Sequence, residues 1–209
     1  MVKQVIKYRV AQARDALALA ELLNIANYGI FVEHYSKEVT KKGEVWQDVV
    51  CALIRNPQSE YYFNNVFVAI VDKKIAGAMF TLVNPDPFIV EGLEDIREDI
   101  RNPLKLRMKV PGSFWLRDLA VFPEHRNFLR IGMRLIQVSI AAGFERGFTQ
   151  ITGMVHDTNH KLMRYYQSIG AQPTDRINVG QHPTYAHESQ WNLLVLTKDN
   201  WKNTGHIEV

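Results

Sequence analysis

The stretch VFPEHRNFLRIGMRL, running from Val121 to Leu135, begins as the end of a strand and finishes as the start of a helix. Ahead of it, Ser113 to Val121 is rich in β-forming residues. Behind it, Ile131, Leu135, Val138 and Ala142 fall at i, i+4, i+7 and i+11, one face of a helix. Where a strand feeds a helix, the first backbone N–H groups lack intrahelical partners and the helix dipole adds partial positive charge. An anion, above all a phosphate, satisfies both. Arg126, Arg130 and Arg134 bring full charges to the same end, which suits a multiply charged guest such as a pyrophosphate. The bland alternative is that they solvate an exposed helix end.

Working outward, Val5 to Val10 reads as a short strand and Ala16 to Ala26 as a helix favoured by its alanines and leucines. Tyr28 to Gly43 shows no clean period. Glu44 to Ile54 regains a helical one, which Asn56-Pro57 stops. Phe63 to Val71 and Ile75 to Val83 predict adjacent antiparallel strands joined through Asp72 to Lys74. Asn84 to Gly112 is a long charged connection with a short helix expected around Leu93 to Ile100. After the central turn, Phe148 to Val155 is a strand and Asn159 to Ile169 a helix that Gly170 closes. The run of strand, helix, strand and helix implies a parallel crossover. Gln190 to Leu196 is a last strand, paired with one near Thr174 to Val179.

With 209 residues, 46% hydrophobic and 22% charged, the chain reads as one globular domain over 1–209, its end from about 199 to 209 frayed. The formal charge of +3 is spread among 22 acidic residues, which argues against a nucleic-acid partner. A single cysteine, Cys51, excludes a disulfide framework and reads as core, pointing to a reducing, cytoplasmic setting. The N-terminus lacks the apolar run of a signal peptide, and no stretch has the length of a membrane span. His156 and His160 have the spacing of a zinc helix, but no glutamate follows His156 and the segment reads as a helix start, so no metal is expected.

Ala120-Val121-Phe122-Pro123-Glu124-His125-Arg126, then Arg130-Ile131-Gly132, then Asp157-Thr158-Asn159 and Tyr165-Tyr166 with Gly170, resemble the signature of the GCN5-related N-acetyltransferase (GNAT) superfamily. Asn159 and Tyr166 match the family spacing, as does Gly170. The order of elements agrees along the chain, while the specific motifs occupy Asp118 to Gly170. The resemblance implies an α/β fold: a mixed, mostly antiparallel twisted sheet, splayed at its fourth and fifth strands and flanked by helices on both faces. It implies acetyl-coenzyme A as donor, with Leu119, Ala120 and Val121 along the pantetheine arm and Arg126, Asn127, Arg130, Ile131 and Gly132 at the pyrophosphate. Asn159 would also touch the pantetheine, although a helix cap alone explains an asparagine there.

One departure falls on the opening stretch. Between Arg126 and Gly132 the chain has one residue more than the family pattern, and Leu129 and Arg130 stand where small residues belong. Either Asn127, Arg130 and Gly132 rebuild the turn, or the loop bulges and Arg130 meets phosphate through its guanidinium. A third course is weakened or lost cofactor binding.

Transfer of an acyl group to an amine needs a base, a stabilised oxyanion and an acid, because an alkyl amine with a pKa near ~10.4 is protonated at neutral pH. The resemblance offers Asp118 as base, the backbone N–H of Val121 for the oxyanion and Tyr166 as acid toward the thiolate. Each side chain has a structural alternative: an ion pair with Arg117 for Asp118, and a core stripe of Leu162, Tyr166 and Ile169 for Tyr166. The expected function is N-acetyl transfer to a small-molecule or protein amine through a ternary complex. Tyr28 to Tyr35, Asn84 to Gly112 and Gln181 to Glu188 would wall the acceptor, and the last strands would serve a homodimer. A non-catalytic acyl-coenzyme A sensor and an acyltransferase with a longer donor are the alternatives.

Overall fold

The computed structural model describes residues 5–126, 130–180 and 189–202. Seven strands form one mixed sheet in the order β1-β2-β3-β4-β5-β7-β6: β1 (Ile6–Val10), β2 (Val66–Val71), β3 (Lys74–Val83), β4 (Phe114–Val121), β5 (Gln150–His156), β6 (Gln172–Asn178) and β7 (Gln190–Thr197). The helices are α1 (Ala16–Ala26), α2 (Ile30–Ser36), α3 (Trp46–Arg55), α4 (Glu98–Arg107), α5 (Ile131–Glu145) and α6 (His160–Ser168). This is the fold the sequence motifs implied, splay included. The parallel rungs between β4 and β5 run from Phe114↔Ile151 to Leu116↔Gly153, whereas β4 continues to Val121 and β5 to His156.

The chain clusters into two compact units, one of residues up to Thr81 with Arg117–Ser139, the other of Leu82–Leu116 with the residues from Ile140 on. In the first, Leu19, Leu22 and Leu23 of α1 and Val50 and Ile54 of α3 are fully buried, in one core with Val66, Val68, Ala78 and Phe80 of the sheet. Cys51 belongs to this core, and burial pushes its thiol pKa up, as befits a packed residue rather than a nucleophile. The β2–β3 link is tighter than expected. Lys74 already pairs with Val71, leaving Asp72 and Lys73 as the turn, both left-handed at φ 49° and 67°, the combination whose twist matches a hairpin.

The segment after α1, aperiodic in sequence, holds α2. Tyr28 and Gly29 are both left-handed (φ 53° and 88°) and reverse the chain, and the Asn27 side chain donates to the Leu23 carbonyl at 2.9 Å to close α1. Phe31 then buries one face of α2.

In the second unit Leu82, Leu106, Val110, Trp115 and Leu193 form one buried cluster. Here α4 runs to Arg107, past the expected end and through Pro103. Burial of Leu106 and the 2.8 Å bond from the Asn102 amide to the Asn178 carbonyl of β6 offset the helix bond that proline forfeits. Gly170 closes α6 at φ 101°, in the place expected. A Cβ there would lie 1.8 Å from the Asn200 carbonyl oxygen, so no other residue fits without rearrangement.

Candidate functional site

The cofactor residues expected in the first unit gather where β4 ends and α5 begins. β3 approaches β4 at Gly77, where a Cβ would come 2.8 Å from the Ala120 carbonyl oxygen, and Phe122 N–H donates to the Ala76 carbonyl at 2.9 Å. Ala120 turns its side chain into the core. Leu119 and Val121 turn theirs toward Gly132 in the first turn of α5, with methyls 3.6 and 3.7 Å from where its Cβ would stand. Arg126 Nε donates to the Val121 carbonyl at 3.0 Å, tying the basic turn to the strand end. Ile131 is buried and anchors the helix start.

Arg130 carries the most telling backbone. It is exposed, its carbonyl accepts from Arg134 N–H at 3.1 Å to open α5, and its φ is 51°. A left-handed arginine costs about 1–2 kcal/mol relative to glycine. The chain thus keeps a glycine-like conformation at the position where the sequence lacks the glycine. Asn127, the remaining residue of that expected set, lies outside the described residues.

Asp118 sits in a polar network built by three segments of the same unit. Its Oδ2 accepts from Arg117 Nε at 3.2 Å and its Oδ1 from Asn27 Nδ2 at 3.2 Å, and its side chain is 16% exposed. Arg117 in turn donates from Nη1 to Glu60 at 2.7 Å and from Nη2 to the Tyr61 hydroxyl, with the guanidinium carbon 4.1 Å from the centre of the Tyr61 ring. Phe31 stands edge-on to Tyr61 at 5.5 Å, and Tyr35 packs on Phe31 at 5.3 Å. Burial pushes the Asp118 carboxyl above the ordinary aspartate range. Arg117 and the Asn27 bond pull the other way, and Glu60 adds to the rise. Such a carboxylate can accept a proton more readily than a surface aspartate.

In the second unit, Tyr166 is 8% exposed and lines a small cavity with Leu116, Ile140, Ile151, Ala171 and Leu194. Burial holds the phenol well above its usual pKa, with Tyr165 contributing in the same direction. Asn159 caps α6, its Oδ1 accepting from Leu162 N–H at 3.2 Å.

Sequence reasoning missed Asn27, Glu60 and Tyr61 as neighbours of Asp118, and it missed the setting of His156. The His156 Nδ1 is 2.6 Å from the Thr158 hydroxyl, and its ring meets Trp191 edge-on at 5.2 Å. Burial depresses its pKa, against the opposing effect of Asp157, so the ring is neutral near pH 7. Among the described residues, no group of three or more histidine, cysteine, aspartate or glutamate side chains is placed to hold a metal ion. Nor is any single helix among them long and apolar enough to cross a membrane.

No family model and no curated protein matches the sequence. Solved structures do match its fold, which is that of the GCN5-related N-acetyltransferases. One acetyltransferase is 17% identical over 91% of this chain and 98% of its own, with a TM-score of 0.65. A mutant agmatine N-acetyltransferase in its apo form is 16% identical over 92% of this chain and 99% of its own, with a TM-score of 0.63. The third is yncA of Salmonella typhimurium, a putative acetyltransferase solved with its cofactor acetyl-CoA. It is 18% identical over 92% of this chain and 93% of its own, with a TM-score of 0.58.

Proposed function

We propose that the chain is an N-acetyltransferase that moves an acetyl group from acetyl-coenzyme A to a primary amine by direct attack. The observation that carries this reading is the left-handed Arg130 at the mouth of α5, beside Gly132, Leu119 and Val121. A left-handed residue before a helix start turns consecutive N–H groups toward one side, the arrangement that cradles phosphate oxygens. Arg126 and Arg130 would add positive charge to the same anion, and Asn127 would offer it a neutral amide donor. β4 beyond Leu116 has no parallel rung to β5, so its backbone is available to the pantetheine and, at Val121 N–H, to the developing oxyanion.

In this reading Asp118 takes the amine proton, directly or through water, as the nitrogen forms its bond to the acyl carbon. Tyr166 donates its phenolic proton to the departing sulfur, and Asn159 adds a hydrogen bond to the pantetheine arm. The acceptor is a small-molecule or protein amine. The structurally similar agmatine N-acetyltransferase makes agmatine a natural first compound to test.

Thermal unfolding with and without acetyl-coenzyme A tests the proposal. A donor at about 100 times its Kd should add about 2.7 kcal/mol of stability. That corresponds to a rise of roughly 5–10 °C in Tm for a chain of this size. No rise with acetyl-, long-chain acyl- or free coenzyme A would remove the proposal's support. The ranking of donors would also decide between acetyl and a longer acyl chain.

A second reading, a sensor that binds acyl-coenzyme A without turnover, is favoured by the Asp118–Arg117 ion pair, because a carboxylate engaged by a guanidinium can be purely structural. It forecasts the same thermal shift with no acetylated product from any amine.

A further inference from the structure

Arg117 serves several acceptors at once. Nη1 meets Glu60, Nη2 meets Tyr61, Nε meets Asp118, and the guanidinium plane lies over the Tyr61 ring. Its side chain is only 22% exposed, while Glu60 is half exposed. Tyr61 is itself braced by Phe31 of α2, so the guanidinium is fixed by the loop between α3 and β2 before it reaches Asp118. A planar fork with five donors can satisfy three acceptors and stack simultaneously. A lysine ammonium cannot.

We infer that Arg117 is a positioning residue for Asp118: held by Glu60 and Tyr61, its guanidinium fixes the orientation and the proton affinity of the β4 carboxyl, and Glu60 tunes that effect from the loop. The inference rests on the proposed role of Asp118 as base, and it adds three residues to the site. The groups that face Asp118 are Arg117 from its own strand, Asn27 from the end of α1, and Glu60 and Tyr61 from the loop, with Tyr35 of α2 beyond them. Two carboxylates therefore share one guanidinium. Removing the arginine leaves Asp118 without this counter-charge, whereas removing the Glu60 charge leaves Asp118 as the carboxylate to which the guanidinium is bonded, with Tyr61 still in place. The two substitutions must move the carboxyl in opposite directions, which mere loosening of the fold would not do.

The test is a titration of the aspartate side-chain carboxyls by carbon NMR in the full chain, with the Asp118 signal assigned by its loss in Asp118→Asn. Arg117→Gln should raise the Asp118 midpoint by about one pH unit or more. Glu60→Gln should lower it by a few tenths of a unit, and Arg117→Lys should fall between wild type and Arg117→Gln. The acid limb of kcat/KM, measured with acetyl-coenzyme A and agmatine, should follow these shifts. Where Arg117→Gln fails to fold, Arg117→Lys and Glu60→Gln, the latter at a half-exposed side chain, carry the same opposed signs. Equal Asp118 midpoints in the folded variants and wild type would overturn the inference. Opposed midpoints with an unmoved acid limb would keep the positioning and remove Asp118 as base. Opposed midpoints in a protein that shows no thermal shift with acetyl-coenzyme A would defeat the proposed function alone.

Discussion

Asp118 is a partly buried acid and Tyr166 a buried one, and desolvation raises the pKa of both, yet their surroundings differ in kind. Asp118 shares its space with a guanidinium, a carboxamide and a second carboxylate. Tyr166 lines a cavity with leucines, isoleucines, an alanine, Gly153 and the uncharged Thr152. Desolvation of the carboxylate is partly offset by Arg117 and Asn27, so its proton affinity is raised by less than burial alone would raise it, the direction that favours a base. Among the described residues nothing charged offsets desolvation of the phenolate, so the phenol holds its proton more tightly than an exposed tyrosine does. Its burial therefore suits a donor whose proton leaves only as negative charge develops on sulfur. Full transfer would be uphill: a phenol above ~10 giving its proton to a thiolate near ~8.5 costs at least about 2 kcal/mol.

The largest expected effect tests the apolar side of this comparison. If Tyr166 is the acid, Tyr166→Phe should lower kcat by about a hundredfold to a thousandfold, within the range of general-acid contributions. The KM for acetyl-coenzyme A and the melting temperature should change little, because the phenyl ring keeps the same packing. An unchanged kcat would assign Tyr166 to the packing stripe it forms with Ile169, whose side chain is also buried.

Asp118→Asn tests the polar side and should lower kcat/KM by about a hundredfold. It also has a stability signature whose sign follows from the raised pKa. The unfolded carboxyl titrates near ~3.9, so between that value and the higher folded one the native state holds more protons. Wild-type stability is accordingly eroded by Asp118 as pH rises through this window, and the cost persists above it. The melting temperature of Asp118→Asn relative to wild type should therefore improve as pH rises from about 4 through the raised pKa of the folded carboxyl. A difference that moves the other way would mean that the Arg117 pair outweighs burial and holds the carboxyl ionised.

The two regions were also unequally legible in the sequence. The motifs from Asp118 to Gly170 are local, with a strand end, a helix start and fixed spacings on one helix, so Gly170, the Asn159 cap and the positions of β4 and α5 could be read directly. The network around Asp118 could not. Asn27 reaches it across 91 residues, through a chain reversal made by left-handed Tyr28, a residue that gives no warning of that conformation. Glu60 and Tyr61 come from a loop with no period at all. The helix expected around Leu93 to Ile100 lies further on, at Glu98–Arg107, because its run past Pro103 rests on contacts with β6 and the core, not on helix propensity.

The smallest expected effect concerns the turn that opened the sequence reading, where two uses of Arg130 make opposite forecasts. If its backbone does the work, Arg130→Gly relieves the left-handed strain and should stabilise the chain by about 1 kcal/mol relative to Arg130→Ala. Where the alanine variant instead relaxes out of the left-handed turn, that cost moves from folding to binding, and acetyl-coenzyme A should bind the glycine variant about fivefold more tightly. If the guanidinium does the work, both variants lose affinity equally, by the worth of one charge-assisted contact to phosphate. Isothermal titration of the two variants with acetyl-coenzyme A separates the cases. Salt sharpens the result, since a guanidinium contribution fades as ionic strength rises, whereas the gain from glycine does not.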